Sequence, residues 1–138
     1  MIVTRRIQVN TRGECDIQDI TPQVAQQLRD SGARDGTVTV FVAGSTAGIT
    51  TIEHEPGLVA DFRRAWERLV PRDERYEHDG RWGDGNGFSH VRASLLGASL
   101  VLPFEGGRLC LGTWQQIVLV DFDNRPRRRE IVVQVAGE

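Results

Sequence analysis

The segment Thr37–Val42, Thr-Val-Thr-Val-Phe-Val, most constrains what this chain can fold into. Every residue in it is β-branched or aromatic, and Val38, Val40 and Val42 share one face at the two-residue period of an extended strand. A helix would scatter those three valines around its axis. The segment therefore predicts a strand with one buried face. The rest of the chain supplies partners for it. Residues 2–9 alternate, with Ile7 and Val9 on one face, and Cys15–Ile20 predicts a second strand after the turn Thr11-Arg12-Gly13. Ile49–Glu53, Ser99–Pro103, Leu109–Leu111, Gln115–Asp123 and Glu130–Val135 predict further strands, the last two joined by the turn Asn124-Arg125-Pro126.

Two stretches have helical spacing instead. Thr21 reads as an N-cap with Pro22 at the first helical position; Val24, Ala25 and Leu28 form the apolar stripe, and Gly32 is the stop. Pro56 opens the second helix. Leu58, Val59, Phe62, Trp66, Leu69 and Val70 form its inner face, while Asp61, Arg63, Arg64, Glu67 and Arg68 face water. Pro71 blocks continuation. Two helices among many strands predict an α+β domain dominated by antiparallel sheet. A chain of 138 residues fits one domain, residues 1–138, large enough to bury a core without staples.

A net charge of −2 provides no electrostatic pull toward nucleic acid or anionic lipid, so neither is expected as a partner. The start, Met-Ile-Val-Thr-Arg-Arg, has no long apolar run, which excludes a signal peptide or membrane anchor there. Cys15 and Cys110 fit no metal-ligand spacing and suggest a reducing compartment. Cys110 alternates with apolar residues and is expected to be buried and inert. The expected location is cytoplasmic.

Chemistry concentrates in Tyr76–His90, which packs two of the three histidines, two aspartates and an asparagine into fifteen residues with four glycines among them. His78, Asp79, Asp84, Asn86 and His90 are the residue types that bind divalent metals or move protons near neutral pH. The glycines allow the backbone to fold back so that these side chains converge. Zinc would take His78, His90 and one carboxylate; magnesium would prefer carboxylates, waters and substrate phosphates. The rival reading is a polar loop, since Asp79-Gly80 and Asp84-Gly85 are ordinary turn dipeptides. Glu53, at a strand end, is either a general base or ligand, or a solvated side chain. Ser45 and Thr46, in the small-residue loop Gly44–Gly48, either hold a phosphate or make a tight turn; the Gly-Lys-Ser/Thr ending of a P-loop is absent. Glu55 suits the N-terminus of the helix it precedes, and His54 suits the surface. Trp114 is expected to pack in the core or at a subunit contact. Arg127-Arg128-Arg129 reads as a solvated basic patch, with phosphate binding the minority use.

An ordered set of short segments is similar to the YjbQ family, also called the secondary thiamine-phosphate synthase family. The set is Ser45-Thr46-Ala47-Gly48-Ile49, Glu53, Glu55-Pro56-Gly57, Tyr76, His78-Asp79, Gly83-Asp84-Gly85-Asn86-Gly87, His90 before Arg92-Ala93-Ser94-Leu95, Gly107, and Gly112-Thr113-Trp114-Gln115. The resemblance implies a β-rich, sandwich-like domain that assembles as a homotrimer. It also implies a histidine-rich, often metal-binding site near the subunit boundary. The implied activity is that of a thiamine-phosphate synthase-like transferase, joining a hydroxymethylpyrimidine diphosphate to a thiazole phosphate with release of diphosphate. In that reading His78, His90 and Glu53 are catalytic. Ser45 and Thr46 bind the phosphorylated small molecule, and Asp79, Asp84 and Asn86 organise a cation with the histidines. The chain departs from the family pattern at Gly44 and Phe88, where histidine is usual, and at Ile52, where asparagine is usual. Those losses motivate the alternative of a non-catalytic trimer that binds a ligand or serves a structural role.

Overall fold

The computed structural model describes every residue from Met1 to Glu138. In chain order its first half runs β1 (Ile2–Thr11), β2 (Asp16–Asp19), α1 (Thr21–Ser31), β3 (Gly36–Val42), β4 (Ala47–Ile52) and α2 (Pro56–Leu69). The second half runs α3 (Glu77–Trp82), α4 (Gly87–Leu96), β5 (Ser99–Glu105), β6 (Arg108–Leu109), β7 (Gln116–Asp121) and β8 (Arg127–Gly137). The strands form two antiparallel sheets, a larger one in the order β1-β8-β3-β5-β6 and a smaller one in the order β2-β7-β4. The fold is α+β, mainly antiparallel and sandwich-like.

The valine face of β3 explains how the layers meet. Val38, Val40 and Val42 are fully buried, and they lie opposite Val135, Val133 and Ile131 of β8. Each such side chain contributes about 1.5–3 kcal/mol when removed from water. This face packs in one core with Ile49, Ile117 and Leu119 of the smaller sheet and with Val24 and Leu28 of α1. The smaller sheet is covered on its other side as well. There Val118, Val120 and Phe122 pack with Trp66 of α2 and with Phe88 and Ala93 of α4. A central strand buried on both faces needs an unbroken apolar run, which is why β7 reads Ile-Val-Leu-Val rather than alternating.

Both expected helices are present. Gly32 ends α1 at φ 74°, and the Glu55 side chain accepts hydrogen bonds from the amides of Gly57 and Leu58 to cap α2. Thr21 has another task than capping. Asp19 accepts from its amide, while the Thr21 hydroxyl accepts from the amide of Ile117 at 2.8 Å. The stretch read as a polar loop folds as α3 and α4. Two tertiary contacts make that possible. The Asp79 carboxylate accepts from the Gly87 amide at 2.8 Å, and Phe88 and Ala93 anchor α4 on the smaller sheet. Cys110 is exposed rather than buried, because it follows the two-residue edge strand β6 and no further strand covers it; Cys15 is buried. No helix is long and apolar enough to cross a membrane.

Candidate functional site

α3 and α4 bring His78 and His90 together although a turn separates them in sequence. Their ring centroids lie 4.3 Å apart, with the planes tilted by 40°. Gly87 makes the approach possible. A Cβ at that position would sit 2.6 Å from the Cβ of Tyr76 and 3.0 Å from Asp79 Oδ1. Gly83, at φ 72°, closes α3 and turns the chain back toward α4.

The pair is under-bonded. His78 Nδ1 is buried without a hydrogen-bond partner, and Asp79 Oδ1 stands 3.8 Å away, beyond bonding distance. Asn86 precedes α4 with its side chain turned inward, donating to Asp123 Oδ1 at 3.3 Å; its own Oδ1 is buried and unpartnered. Such orphaned atoms are uncommon in folded chains and mark places kept for a water, an ion or a ligand. Burial holds the His90 imidazole below the ordinary histidine range, and the charge of His78 pushes the same way against Asp123 and Asp84. His90 is therefore neutral at pH 7, the form that accepts a proton. Asp84 is exposed, and its carbonyl accepts from the Asn124 side chain at 2.9 Å. Asp84 and Asn86 line a cavity of about 80 Å³ with Asn124 and Arg125, room for two or three waters.

No group of three or more histidine, cysteine, aspartate and glutamate side chains is arranged to hold an ion. Asp79 Oδ1 accepts from the Gly87 amide, and the two imidazoles fall one short of the three protein ligands usual for a catalytic zinc.

Ser45 and Thr46 point to different surroundings. Ser45 is exposed and lines a cavity of about 200 Å³ with Ser94 and Gly97. Thr46 is buried, donating to Asp123 Oδ2 at 3.0 Å and accepting from Arg129 Nη2 at 2.6 Å. Glu53 is exposed beyond the far end of β4, seven residues from Thr46, on the order of 20 Å along an extended strand. Gln115 reaches the same far end, donating to Thr51 Oγ1 at 3.0 Å. Trp114 is 73% exposed, which removes the core option for it. Phe88 is fully buried and packs beneath Arg72 and Arg92, with guanidinium carbons 5.4 and 5.0 Å from the ring centroid. It lies two helical steps before His90, so the two side chains leave α4 about 200° apart.

One cluster went unread in the sequence. Asp121 and Asp123 are fully buried. Asp121 accepts from Thr11, from both Nε and Nη2 of Arg129, and from the Asp123 amide. Asp123 accepts from Thr46, Asn86, Arg127 and the Asn124 amide. Burial alone pushes the Asp123 carboxyl up, but those four hydrogen bonds outweigh it and hold the group below the usual carboxylate range. Arg129 is thus a buried ion-pair partner rather than part of a solvated patch. The available signal was the period-two pattern: Asp121 and Asp123 before the turn, Arg127 and Arg129 after it.

The sequence model described as UPF0047 protein YjbQ-like matches residues 5–138. A UPF0047 protein of Archaeoglobus fulgidus is 40% identical over 126 residues, covering 91% of this chain and 95% of that protein. The UPF0047 protein YugU of Bacillus subtilis is 33% identical over 135 residues, covering 96% and 98%. Among solved structures, a YbjQ-like protein of unknown function from Sulfolobus solfataricus superposes with a TM-score of 0.95 at 36% identity, covering 100% of this chain and 99% of that one.

Proposed function

Given that the chain belongs to the UPF0047 YjbQ-like family, we propose that His78 and His90 form an acid–base pocket acting on a phosphorylated small molecule. The candidate reaction is thiamine-phosphate synthase-like transfer. The close imidazole pair carries this reading, because burial keeps His90 neutral and leaves His78 Nδ1 without a partner. The thiazole nitrogen, which has no proton to lose, attacks the pyrimidine methylene carbon as the carbon–oxygen bond to diphosphate breaks; His78 donates to the departing diphosphate oxygen, and neutral His90 accepts a hydrogen bond from the pyrimidine amino group as positive charge develops. Asn86 offers its free Oδ1 to a donor on the ligand and is held in place by Asp123. Ser45 supplies a hydroxyl from a neighbouring surface cavity.

The proposal includes a homotrimer. Leu69, Trp82, Leu95, Val101 and Trp114 all expose large apolar surface in a single chain, and self-association covers such residues. Light scattering should give three chains per particle, and a monomer at every concentration would overturn this part.

The activity test supplies hydroxymethylpyrimidine diphosphate and thiazole phosphate, and follows thiamine phosphate and diphosphate together. His90→Ala should lower the rate by about 10²-fold or more, the usual loss of a general acid or base. Equal rates in the variant would overturn the assignment of His90. Saturable binding of either substrate without turnover would favour the non-catalytic reading.

A further inference from the structure

We propose that the groove between α2 and the turn at residues 13–15 is a second binding site, for a small organic oxyanion with a phosphate or carboxylate head. It lies apart from the histidine pair and uses none of its groups. The groove encloses about 480 Å³, within the range of small-molecule sites. Four arginines reach it, Arg63, Arg64, Arg72 and Arg92, against two carboxylates, Glu14 and Glu67. Asp61 pairs with Arg64 on the outer rim, so one positive charge remains after every local partner is counted.

The decisive group is Arg92, whose side chain is only 5% exposed. A cation buried that deeply needs its donors satisfied. Its Nε and Nη2 donate to the Val70 carbonyl at 3.0 and 2.8 Å, and Nη2 also meets Glu67 at 2.9 Å. Its Nη1 bonds to nothing in the chain. The plane is fixed from below by the rings of Phe88 and Phe122, 5.0 and 5.9 Å from the guanidinium carbon. The two Nη1 donors of a guanidinium otherwise fixed in place are therefore left over at the groove. Arg63 adds more: its Nε donates to the Cys15 carbonyl at 3.0 Å, and no carboxylate pairs with it. Arg72 is within reach too, held by Glu14 at 2.8 Å in an exposed pair that an incoming anion can replace. Guanidinium forks match the paired oxygens of phosphate and carboxylate.

Two further features keep the groove cationic and shaped. Burial pushes the Cys15 thiol up to about 11, so it adds no negative charge at pH 7. Glu14 and Cys15 both hold left-handed backbone, at φ 57° and 61°. That conformation is costly for residues with side chains, and here it delivers the Cys15 carbonyl to Arg63. Ala60 gives the exposed apolar part of the wall, while Phe88, buried beneath Arg72 and Arg92, holds their guanidiniums from below.

Calorimetry on the full chain with phenyl phosphate, benzoate and benzyl alcohol tests the site. Saturable binding of phenyl phosphate or benzoate is expected, and their ratio identifies the preferred head. Arg63→Gln, at an exposed position that leaves the core intact, should weaken binding about tenfold. Glu14→Gln, which releases Arg72, should strengthen it about threefold. No saturable binding of either anion up to about 20 mM would overturn the proposal. So would equal binding of benzyl alcohol, or anion binding that Arg63→Gln leaves unchanged.

Discussion

Two polar clusters lie against each other in this molecule and are built on opposite terms. Around Asp121 and Asp123, both carboxylates accept bonds from side chains and amides on every side, and the guanidinium of Arg129 spans them. Around His78 and His90, two buried polar atoms have no partner. The clusters share one hydrogen bond, from Asn86 to Asp123. A saturated buried network rigidifies a fold, whereas a partly satisfied one is costly unless something else completes it. The contrast sets a saturated cluster beside an incomplete one, and it can be broken experimentally at either end.

The largest effect is expected from Asp121→Ala. It leaves the buried Arg129 without its main partner, and breaking a buried pair from one side costs about 3–5 kcal/mol. Chemical denaturation measures this directly. A loss below about 1 kcal/mol would show that water satisfies Arg129 and that the network is not structural.

Next comes the pH profile of the activity proposed for the pair. The folded His90 titrates below its ordinary value, so the base form persists as pH falls from 8 to the usual histidine range near 6.5. On the acid side of the profile His90 should cause no loss across that interval, and below its depressed value the rate should fall about tenfold per pH unit. The stability sign is the same. Because the folded value is lowered, the contribution of His90 is present above about 6.5 and is lost as pH falls through the folded value. A rate that already declines between pH 8 and 7 on the acid side would mean that another group titrates.

These clusters also show what the sequence disclosed and what it hid. The strands around Val38, Val40 and Val42 were legible because one buried face imposes alternation. α2 was legible because a helix lying on a sheet imposes spacing of three and four. α3 and α4 were not, because their local signals are turn signals: Asp79-Gly80, Asp84-Gly85 and Gly87 favour turns until Asp79 bonds the Gly87 amide and Phe88 finds the core. The convergence of His78 with His90 was legible from glycine content. Glu53 was grouped with them on resemblance alone, and its separation depends on which end of β4 faces α4, something composition does not encode. Asp121 and Asp123 were hidden for a different reason. They end an apolar run, and a carboxylate at a strand end ordinarily faces water.

A smaller effect should come from His78→Leu. In the saturated cluster every removal breaks bonds. Here the removal deletes a buried nitrogen that has none. Replacing an unsatisfied polar group by an apolar one of similar size is nearly neutral or stabilising, by up to about 1 kcal/mol. Thermal unfolding at pH 7.5, monitored with the bound-ligand arm omitted, should show a midpoint equal to or above that of the parent. A clear drop would mean that His78 has an internal partner and that the pocket is as structural as its neighbour.

The smallest effect is expected at Glu53, and it tests whether the under-bonded pocket is complete within one subunit. Glu53 is exposed, lies on the order of 20 Å from Thr46 along the strand, and is not among the charges that shift His90. Glu53→Gln should change stability by less than about 0.5 kcal/mol, as exposed substitutions do. The His90 ring protons, followed by NMR through a pH titration, should give the same midpoint in both proteins. A lower midpoint in the variant would carry one meaning only: a carboxylate that stabilises the His90 cation has been removed. Since the folded chain keeps its own Glu53 at the opposite end of β4, that carboxylate would have to come from a second copy. The outcome then separates a pocket made by α3 and α4 alone from one that closes only on assembly, and the concentration dependence of the same titration distinguishes the two without further mutation.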